Sequence, residues 1–194
     1  LMVYEGDIPE GKTLEFSKIS NVYTTRDKET SHLSIEELRT FSIEDLKKQS
    51  EKGFDNLLSE SEKKWSEYWQ LMDIKIESDN GFDQLAIRFA QYHLMIMAPQ
   101  HDSRNGIGAK GLLGEGYKGH SFWDTELFIL PFFTYTFPEI AKSLLEYRHN
   151  TLEGAHKKAL KNNYKGAMYP WESAWINDGE VTPVWGAADI ITGK

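Results

Sequence analysis

The residues best suited to chemistry lie between Lys110 and Glu126, where a glycine-rich segment is followed by an aromatic and acidic cluster. Four of the ten residues from 110 to 119 are glycine. Glycine lets the backbone turn where a side chain would obstruct it, so the segment predicts a loop that delivers a few side chains to one place. The delivered side chains are His120, Phe122, Trp123, Asp124 and Glu126.

Trp123 followed by Asp124 is a pair suited to binding a sugar. One face of a glucose ring is a row of C–H groups that can lie against an indole, and its neighbouring hydroxyls can donate hydrogen bonds to a carboxylate. The alternative is structural, with Trp123 in the core and Asp124 capping the helix that begins nearby. A second aromatic and acidic cluster at residues 169–173, Tyr-Pro-Trp-Glu-Ser, favours the sugar-binding interpretation.

The sequence patterns for other kinds of site are weaker than the pattern for sugar binding. His120, Asp124 and Glu126 could be metal ligands, but no second histidine is nearby in the sequence, so we expect no metal site. The chain has no cysteine and no Gly-x-Ser-x-Gly segment, which argues against these covalent nucleophiles. Its clustered glycines miss the dinucleotide-binding spacing. The candidate acids for glycoside chemistry are Glu115, Asp124, Glu126 and Glu172.

Two long segments resemble the signature of glycoside hydrolase family 65. They are Ala-Lys-Gly-Leu-Leu-Gly-Glu-Gly-Tyr-Lys-Gly-His-Ser-Phe-Trp-Asp-Thr-Glu at 109–126 and Gly-Ala-Met-Tyr-Pro-Trp-Glu-Ser-Ala at 166–174. That family contains maltose, kojibiose, nigerose and trehalose phosphorylases and some α-glucosidases. Weaker similarity covers nearly the whole chain.

The resemblance implies a mainly α-helical chain. The family consists of an N-terminal β-sandwich, a helical linker, an (α/α)6 barrel and a C-terminal sheet, and 194 residues are too few for all of these. We therefore expect a fragment: a leftover strand from the end of the β-sandwich at 1–30, a helical linker at 31–78, and the first part of an (α/α)6 toroid at 79–194.

The resemblance also implies where the sugar binds. Trp123, Asp124, Trp171 and Glu172 would hold the glucosyl ring that is transferred, and Asp124 would accept bonds from hydroxyls far from the anomeric carbon. His120 and Glu126 would support them from behind. The family's general acid is a glutamate in a motif further along the chain, so none of these residues is expected to be the acid catalyst.

The implied reaction is phosphorolysis. Inorganic phosphate would be the co-substrate and nucleophile, with no cofactor, and an α-linked glucose disaccharide, maltose as a first expectation, would give β-glucose 1-phosphate and glucose. Two alternatives stay open: hydrolysis by a family α-glucosidase or trehalase, and a non-catalytic carbohydrate-binding module. The resemblance also implies a homodimer for the full-length protein.

Composition excludes several partners. A net charge of −8 argues against non-specific nucleic-acid binding, which needs a basic face. The apolar run at 127–137 is too short to span a bilayer and contains Pro131, so no membrane partner is expected. The absence of cysteine fits a reducing cytoplasm, which is the location we predict.

Periodicity predicts the elements that position the two clusters. The alternating, β-branched segment at 16–27 predicts a strand without neighbours. Capping-box patterns begin at Ser34 and Ser42, followed by a long amphipathic helix to Met72 that is weakened near Gly53. A helix at 82–98 should end at Pro99, with His93 as a core histidine. His101, Asp102 and Arg104 lie in the polar loop that follows it and could reach a ligand.

Beyond the glycine-rich loop, two helices are expected, followed by a turn and loops. Residues 122–136 predict a helix buried on all sides, as in the inner ring of a barrel. Residues 138–161 predict an amphipathic outer helix, bent around Gly154, whose polar side includes Arg148. A turn at 162–166 and an aromatic loop at 169–175 follow, and the chain after Asn177 is expected to be loop.

Overall fold

The computed structural model describes residue 3, residues 5–112, residues 114 and 116–174, and residues 179–182. The chain divides into two compact units, residues 1–68 and residues 69–194. The predicted loop after Asn177 falls mostly outside the described residues. The domain boundaries expected from the family resemblance stay a prediction.

The described residues are mainly helical. The α-helices are α1 (Ile35–Lys52), α2 (Phe54–Met72), α3 (Gly81–Met97), α4 (Leu130–Thr136), α5 (Pro138–Asn150) and α6 (Leu152–Lys161). The strands are β1 (Ala109–Leu112), β2 (Ser121–Phe122) and β3 (Glu172–Ser173). None of the helices in this described part combines the length and apolar character needed to cross a membrane.

The first unit is built on a capped helix. The Ser34 hydroxyl accepts from the Glu37 amide and the Glu37 carboxylate accepts from the Ser34 amide, so the predicted capping box is confirmed. The second predicted cap was wrong, because Ser42 lies inside α1. The weak point at Gly53 is a full break between α1 and α2, since its φ of 74° belongs to the left-handed region that glycine tolerates.

The strand predicted at 16–27 was wrong. Residues 12–24 have no regular secondary structure, because a strand needs a partner to bond its backbone and none of the described segments supplies one. The segment is nonetheless anchored to α1. Asn21 donates to the Ser42 carbonyl at 2.9 Å, and the Tyr23 hydroxyl donates to Asp45 at 2.9 Å.

In the second unit, α3 begins and ends where the sequence predicts. The Asn80 side chain accepts from the Phe82 amide at 3.0 Å, and the helix stops before Pro99. His93 is half-buried, with its Nδ1 2.8 Å from the Phe89 carbonyl and its ring centroid 4.1 Å from that of Phe89. Its ring nitrogen is therefore satisfied within its own helix.

The core of the second unit lies where α4, α5 and α6 pack together. α4 packs on α5, and α5 packs on α6. The fully buried apolar side chains include Met95, Ile107, Phe133, Leu144, Ala155 and Ala159. These helices form the scaffold behind the two aromatic clusters.

The helix predicted at 122–136 differs from expectation in two ways. It starts as a π-helical turn (Thr125–Ile129) that leads into α4. It is also not buried on all sides: Phe133 is buried, but Leu127, Phe128 and Tyr135 are 56%, 67% and 88% exposed. An all-apolar helix needs neighbours on every side, and the described elements cover one side only.

The break in the outer helix lies at Thr151 and not at Gly154. The Thr151 hydroxyl donates to the Arg148 carbonyl at 2.9 Å, which ends α5 and lets α6 begin at the next residue. Gly154 is buried within α6. Its carbonyl oxygen lies against Gly179, where an added Cβ would be only 2.9 Å away, so this close approach depends on the missing side chain of Gly179.

Gly106 lies in a tightly packed position between Ser121 and Tyr147. An added Cβ would lie 2.5 Å from the Ser121 hydroxyl and 2.7 Å from the Tyr147 ring. We expect Gly106→Ala to destabilise the protein by about 1–3 kcal/mol, because both neighbours are buried and cannot move freely. Gly81→Ala is the matched control, since an added Cβ there meets nothing within 4 Å. Equal thermal midpoints for the two variants would contradict this packing.

Candidate sugar-binding site

The two aromatic clusters are brought together by a short antiparallel ladder. β2 pairs with β3 in the register Ser121 to Ser173 and Phe122 to Glu172. The residues that follow β2 and the residues that precede β3 therefore share one end of the ladder. Two loops that are about fifty residues apart in the sequence form one surface.

Two indoles meet at this end of the ladder. The ring centroids of Trp123 and Trp171 are 5.4 Å apart at an interplanar angle of 59°. Trp123 is 36% exposed, so it is not a core residue. A tilted, partly exposed pair of this kind presents aromatic surface to a ligand.

Asp124 is exposed and is not used as a helix cap. It precedes the π-helical turn, and its side chain makes no capping hydrogen bond. The structural alternative, in which Asp124 caps the following helix, was therefore wrong. Its carboxylate is available to accept hydrogen bonds from a ligand.

Asp124 and Trp171 line a cleft of about 370 Å³. This volume lies within the range of ~300–1,000 Å³ in which small molecules bind. The other walls include Met97, Ile107, Tyr117 and Phe122. Among the described lining residues Asp124 is the single charged one, so the cleft combines apolar and aromatic walls with one strong acceptor.

Trp123 faces a neighbouring hollow of about 650 Å³, lined also by Glu126, Tyr169 and Pro170. The indole of Trp171 lines the cleft and contacts Trp123. Trp123 therefore does not itself line the cleft, and its link to the cleft is its contact with Trp171.

Glu172 is held behind the cleft. One carboxylate oxygen forms a 2.7 Å hydrogen bond with His120 Nδ1, and the other accepts from the Thr182 hydroxyl at 2.9 Å. Its side chain is only 14% exposed, and it does not line the cleft. The proximity of His120 to Glu172 places the expected supporting histidine against one of the expected sugar-binding residues.

Glu126 is paired with Arg148 of α5. Arg148 Nε and Nη2 each donate to a Glu126 carboxylate oxygen at 2.8 Å. Nη2 also donates to the Phe122 carbonyl at 2.8 Å. Arg148 thus holds the backbone just before Trp123 and the side chain just after Asp124. The prediction that Arg148 lies on the polar side of its helix was wrong, because the residue is only 8% exposed.

A second buried cation lies beneath the loop at 169–173. Lys158 of α6 donates to Glu180 at 2.6 Å, and Glu180 accepts from the amides of Trp171 and Glu172. Burial raises the pKa of Glu180, but the bonds from Lys158 and the two amides outweigh it and lower the pKa below its usual value. Glu180 is therefore a carboxylate at neutral pH.

In the polar loop that follows α3, the charged side chains of Asp102 and Arg104 bond each other. Asp102 accepts from Arg104 at 2.7 and 2.8 Å and from Asn105 at 2.9 Å. The Arg104 guanidinium lowers the pKa of Asp102. The described residues contain no group of three or more His, Asp or Glu side chains placed to hold a metal ion.

The same fold occurs in a solved structure. A chain described as "Putative kojibiose phosphorylase from human microbiome" superposes with a TM-score of 0.70 at 34% sequence identity, covering 81% of this chain and 21% of that chain. The mainly helical fold described above is therefore part of an (α/α)6 toroid. Residues 88–194, more than half of the chain, match the family described as the glycosyl hydrolase family 65 central catalytic domain. The chain belongs to glycosyl hydrolase family 65.

Individual relatives are mostly disaccharide phosphorylases. Kojibiose phosphorylase of Halothermothrix orenii is 54% identical over 192 residues, which are 98% of this chain and 24% of that protein. Kojibiose phosphorylase of Escherichia coli is 42% identical over 183 residues, 94% of this chain and 24% of that protein. More distant relatives are named nigerose phosphorylase and α,α-trehalose phosphorylase, and one, from Flavobacterium johnsoniae, is named kojibiose hydrolase. The chain spans about a quarter of the length of these relatives.

Proposed function

We propose that the full-length protein is an inverting phosphorylase that cleaves kojibiose, the α-1,2-linked glucose disaccharide, with inorganic phosphate. The products would be β-glucose 1-phosphate and glucose. Relatives named kojibiose phosphorylase at 54% and 42% identity support this substrate. Kojibiose replaces maltose, the substrate first expected from the sequence, because none of the relatives described above is named for maltose.

The observation that carries the proposal is the meeting of both aromatic clusters at one cleft. Asp124 and Trp171 line it, and Trp123 packs against Trp171. In the proposed complex the indole of Trp171 lies against the C–H face of the glucosyl ring, and Asp124 accepts from its hydroxyls. Glu172 completes the same subsite from behind, supported by His120, and Glu126 holds the Trp123–Asp124 segment through Arg148.

Cleavage with inversion needs two groups on opposite faces of the anomeric carbon. Phosphate would attack one face, so the protein must supply one acid that protonates the leaving glycosidic oxygen on the other. We assign that acid to none of Asp124, Glu126 and Glu172; the fourth candidate, Glu115, lies outside the described residues. In the proposed complex Asp124 accepts from sugar hydroxyls, and Glu126 and Glu172 are already bonded to Arg148 and His120. Because the family resemblance implies a general acid further along the chain, the 194-residue chain alone is proposed to be inactive.

The test is phosphate dependence in the full-length protein. With kojibiose, glucose release should require phosphate and should be matched by an equal amount of β-glucose 1-phosphate. Maltose, nigerose and trehalose should react at least about tenfold more slowly, which corresponds to about 1.4 kcal/mol in transition-state binding. Equal rates on maltose and kojibiose would overturn the substrate assignment.

Hydrolysis is the second candidate, and it is favoured by the relative named kojibiose hydrolase, which is 36% identical over 183 residues. Glucose release at an undiminished rate without phosphate would establish it in place of phosphorolysis. If no α-glucoside is cleaved but glucose binds in a calorimeter, the non-catalytic binding module is the correct description. The homodimer and the cytoplasmic location stay predictions, and the mass of the full-length protein in solution tests the first.

A further inference from the structure

A buried ion pair lies under the aromatic loop that carries Trp171. Lys158 Nζ is 2.6 Å from Glu180 Oε2, and their side chains are only 5% and 13% exposed. Burying two charges costs free energy that their attraction does not always repay, so such a pair is weak evidence for stability alone. Its position in the molecule therefore needs another explanation.

The pair holds the backbone of the loop at three points. Glu180 Oε2 accepts from the Trp171 amide at 2.7 Å, and Oε1 accepts from the Glu172 amide at 2.9 Å. Lys158 Nζ lies 3.5 Å from the Tyr169 carbonyl. A carboxylate bonds two amides at once because each of its oxygens can accept, and such charge-assisted bonds are about twice as strong as neutral ones.

The residues after Glu180 bond both the backbone and the side chain of Glu172. The Val181 amide donates to the Glu172 carbonyl at 3.1 Å, and the Thr182 hydroxyl donates to Glu172 Oε2 at 2.9 Å. The segment 179–182 thus lies between α6 and the loop, with Gly179 close against Gly154. Every bond from this segment to the loop is made at Trp171 or Glu172.

We propose that the Lys158–Glu180 pair is a positioning device for the sugar subsite. It fixes the backbone at 171–172 so that the Trp171 indole stays against Trp123 and the Glu172 carboxylate stays between His120 and Thr182. Lys158 and Glu180 do not line the cleft and act only through these two residues. This proposal rests on the proposed function, in which the cleft binds a glucosyl ring.

The test compares Glu180→Gln with Glu153→Gln in the full-length enzyme. In Glu180 each amide donates to a different carboxylate oxygen. A glutamine presents one acceptor oxygen and an NH2 group, so in this arrangement one of the two amides loses its acceptor. We expect the KM for kojibiose to rise about three- to tenfold in Glu180→Gln, while the KM for phosphate changes less than twofold. Glu153 is the matched control, because it forms an exposed ion pair with Lys157 on the same helix, and Glu153→Gln should leave both constants unchanged.

A second readout does not depend on activity. Hydrogen exchange at the amides of Trp171 and Glu172 should be faster in Glu180→Gln than in the wild type and in Glu153→Gln. If Glu180→Gln does not fold, the double variant Lys158→Met/Glu180→Gln takes its place, because it leaves no unpaired buried charge.

The outcomes separate this proposal from the proposed function. A sugar KM that is unchanged, with only a lower kcat, means a loss of folded enzyme and overturns the positioning role. Faster exchange without a change in sugar KM overturns it too. If the wild type cleaves no α-glucoside, the proposed function fails by itself, and unchanged exchange in Glu180→Gln would show separately that the pair does not hold the loop.

Discussion

Replacement of Asp124 by alanine should lower kcat/KM for kojibiose at least about tenfold in the full-length enzyme. A hydrogen bond to a charged group contributes about 1.5–3 kcal/mol, and about 1.4 kcal/mol is one decade in rate. The exposed carboxylate of Asp124 has no capping bond in the free protein, so its bonds are available to the sugar. Because binding far from the reacting carbon also positions the ring, kcat should fall as well as affinity. Initial rates over a range of kojibiose concentrations measure both.

The matched control for Asp124→Ala is Asp79→Ala. Asp79 is also an exposed aspartate near the start of a helix, directly before the N-cap Asn80, but it does not line the cleft. Its variant should keep wild-type kinetics. Asp124→Asn, which retains one acceptor oxygen, should fall between alanine and wild type. Wild-type kcat/KM in Asp124→Ala, with the same thermal midpoint, would remove Asp124 from the sugar site.

The parts of the fold that the sequence predicts are those governed by local interactions. The Ser34 cap, the weak point at Gly53 and the stop before Pro99 each depend on residues within a few positions of one another. The candidate pair Trp123 and Asp124 was likewise proposed from adjacent residues, and its role in sugar binding stays a prediction. Where the deciding contact is local, propensity and spacing are enough.

The predictions from sequence were wrong, or could not be made, where the structure of a segment depends on residues that are distant in the sequence. The segment at 16–24 has strand-like composition, yet its bonds go to the side of α1 through Asn21 and Tyr23. The joining of the two aromatic loops was expected only from the family resemblance. Nothing local at 121–122 or 172–173 shows that these two-residue segments pair with each other.

Buried charged residues are the second kind of feature that the sequence did not predict. Arg148 and Lys158 have the residue types of a solvated face, and Arg148 was placed there from periodicity. Each is buried because a carboxylate far along the chain pairs with it: Glu126 for Arg148 and Glu180 for Lys158, both 22 residues away. A lysine or arginine next to small or apolar helix positions, such as Lys158 beside Ala155 and Ala159, is the signal that could have revealed them.

The ion pair between Arg148 and Glu126 is expected to be important for the stability of the site. Four of its contacts converge on the residues around the site: two bonds to Glu126, one to the Phe122 carbonyl, and one to the Ser173 hydroxyl at 3.3 Å. Ser173 also bonds the Tyr147 hydroxyl at 3.0 Å. Arg148 thus connects α5 to both strands of the ladder and to the π-helical turn. Removing it leaves a partly buried carboxylate and a backbone carbonyl without their donor.

Arg148→Met should therefore lower the local stability of residues 121–126 by about 2–3 kcal/mol, below the ~3–5 kcal/mol of a fully buried pair because the Glu126 side chain is 29% exposed. Native-state hydrogen exchange of this segment measures the loss, and kcat/KM for kojibiose should fall with it.

Arg88→Met is the matched control: Arg88 also forms a two-bond pair, with Asp73, but its side chain is 48% exposed, so the loss should stay below about 1 kcal/mol. Combining Arg148→Met with Glu126→Gln should recover part of the stability but little of the activity, because the Phe122 carbonyl still lacks its donor. Equal losses in Arg148→Met and Arg88→Met would show that the cleft does not depend on this arginine.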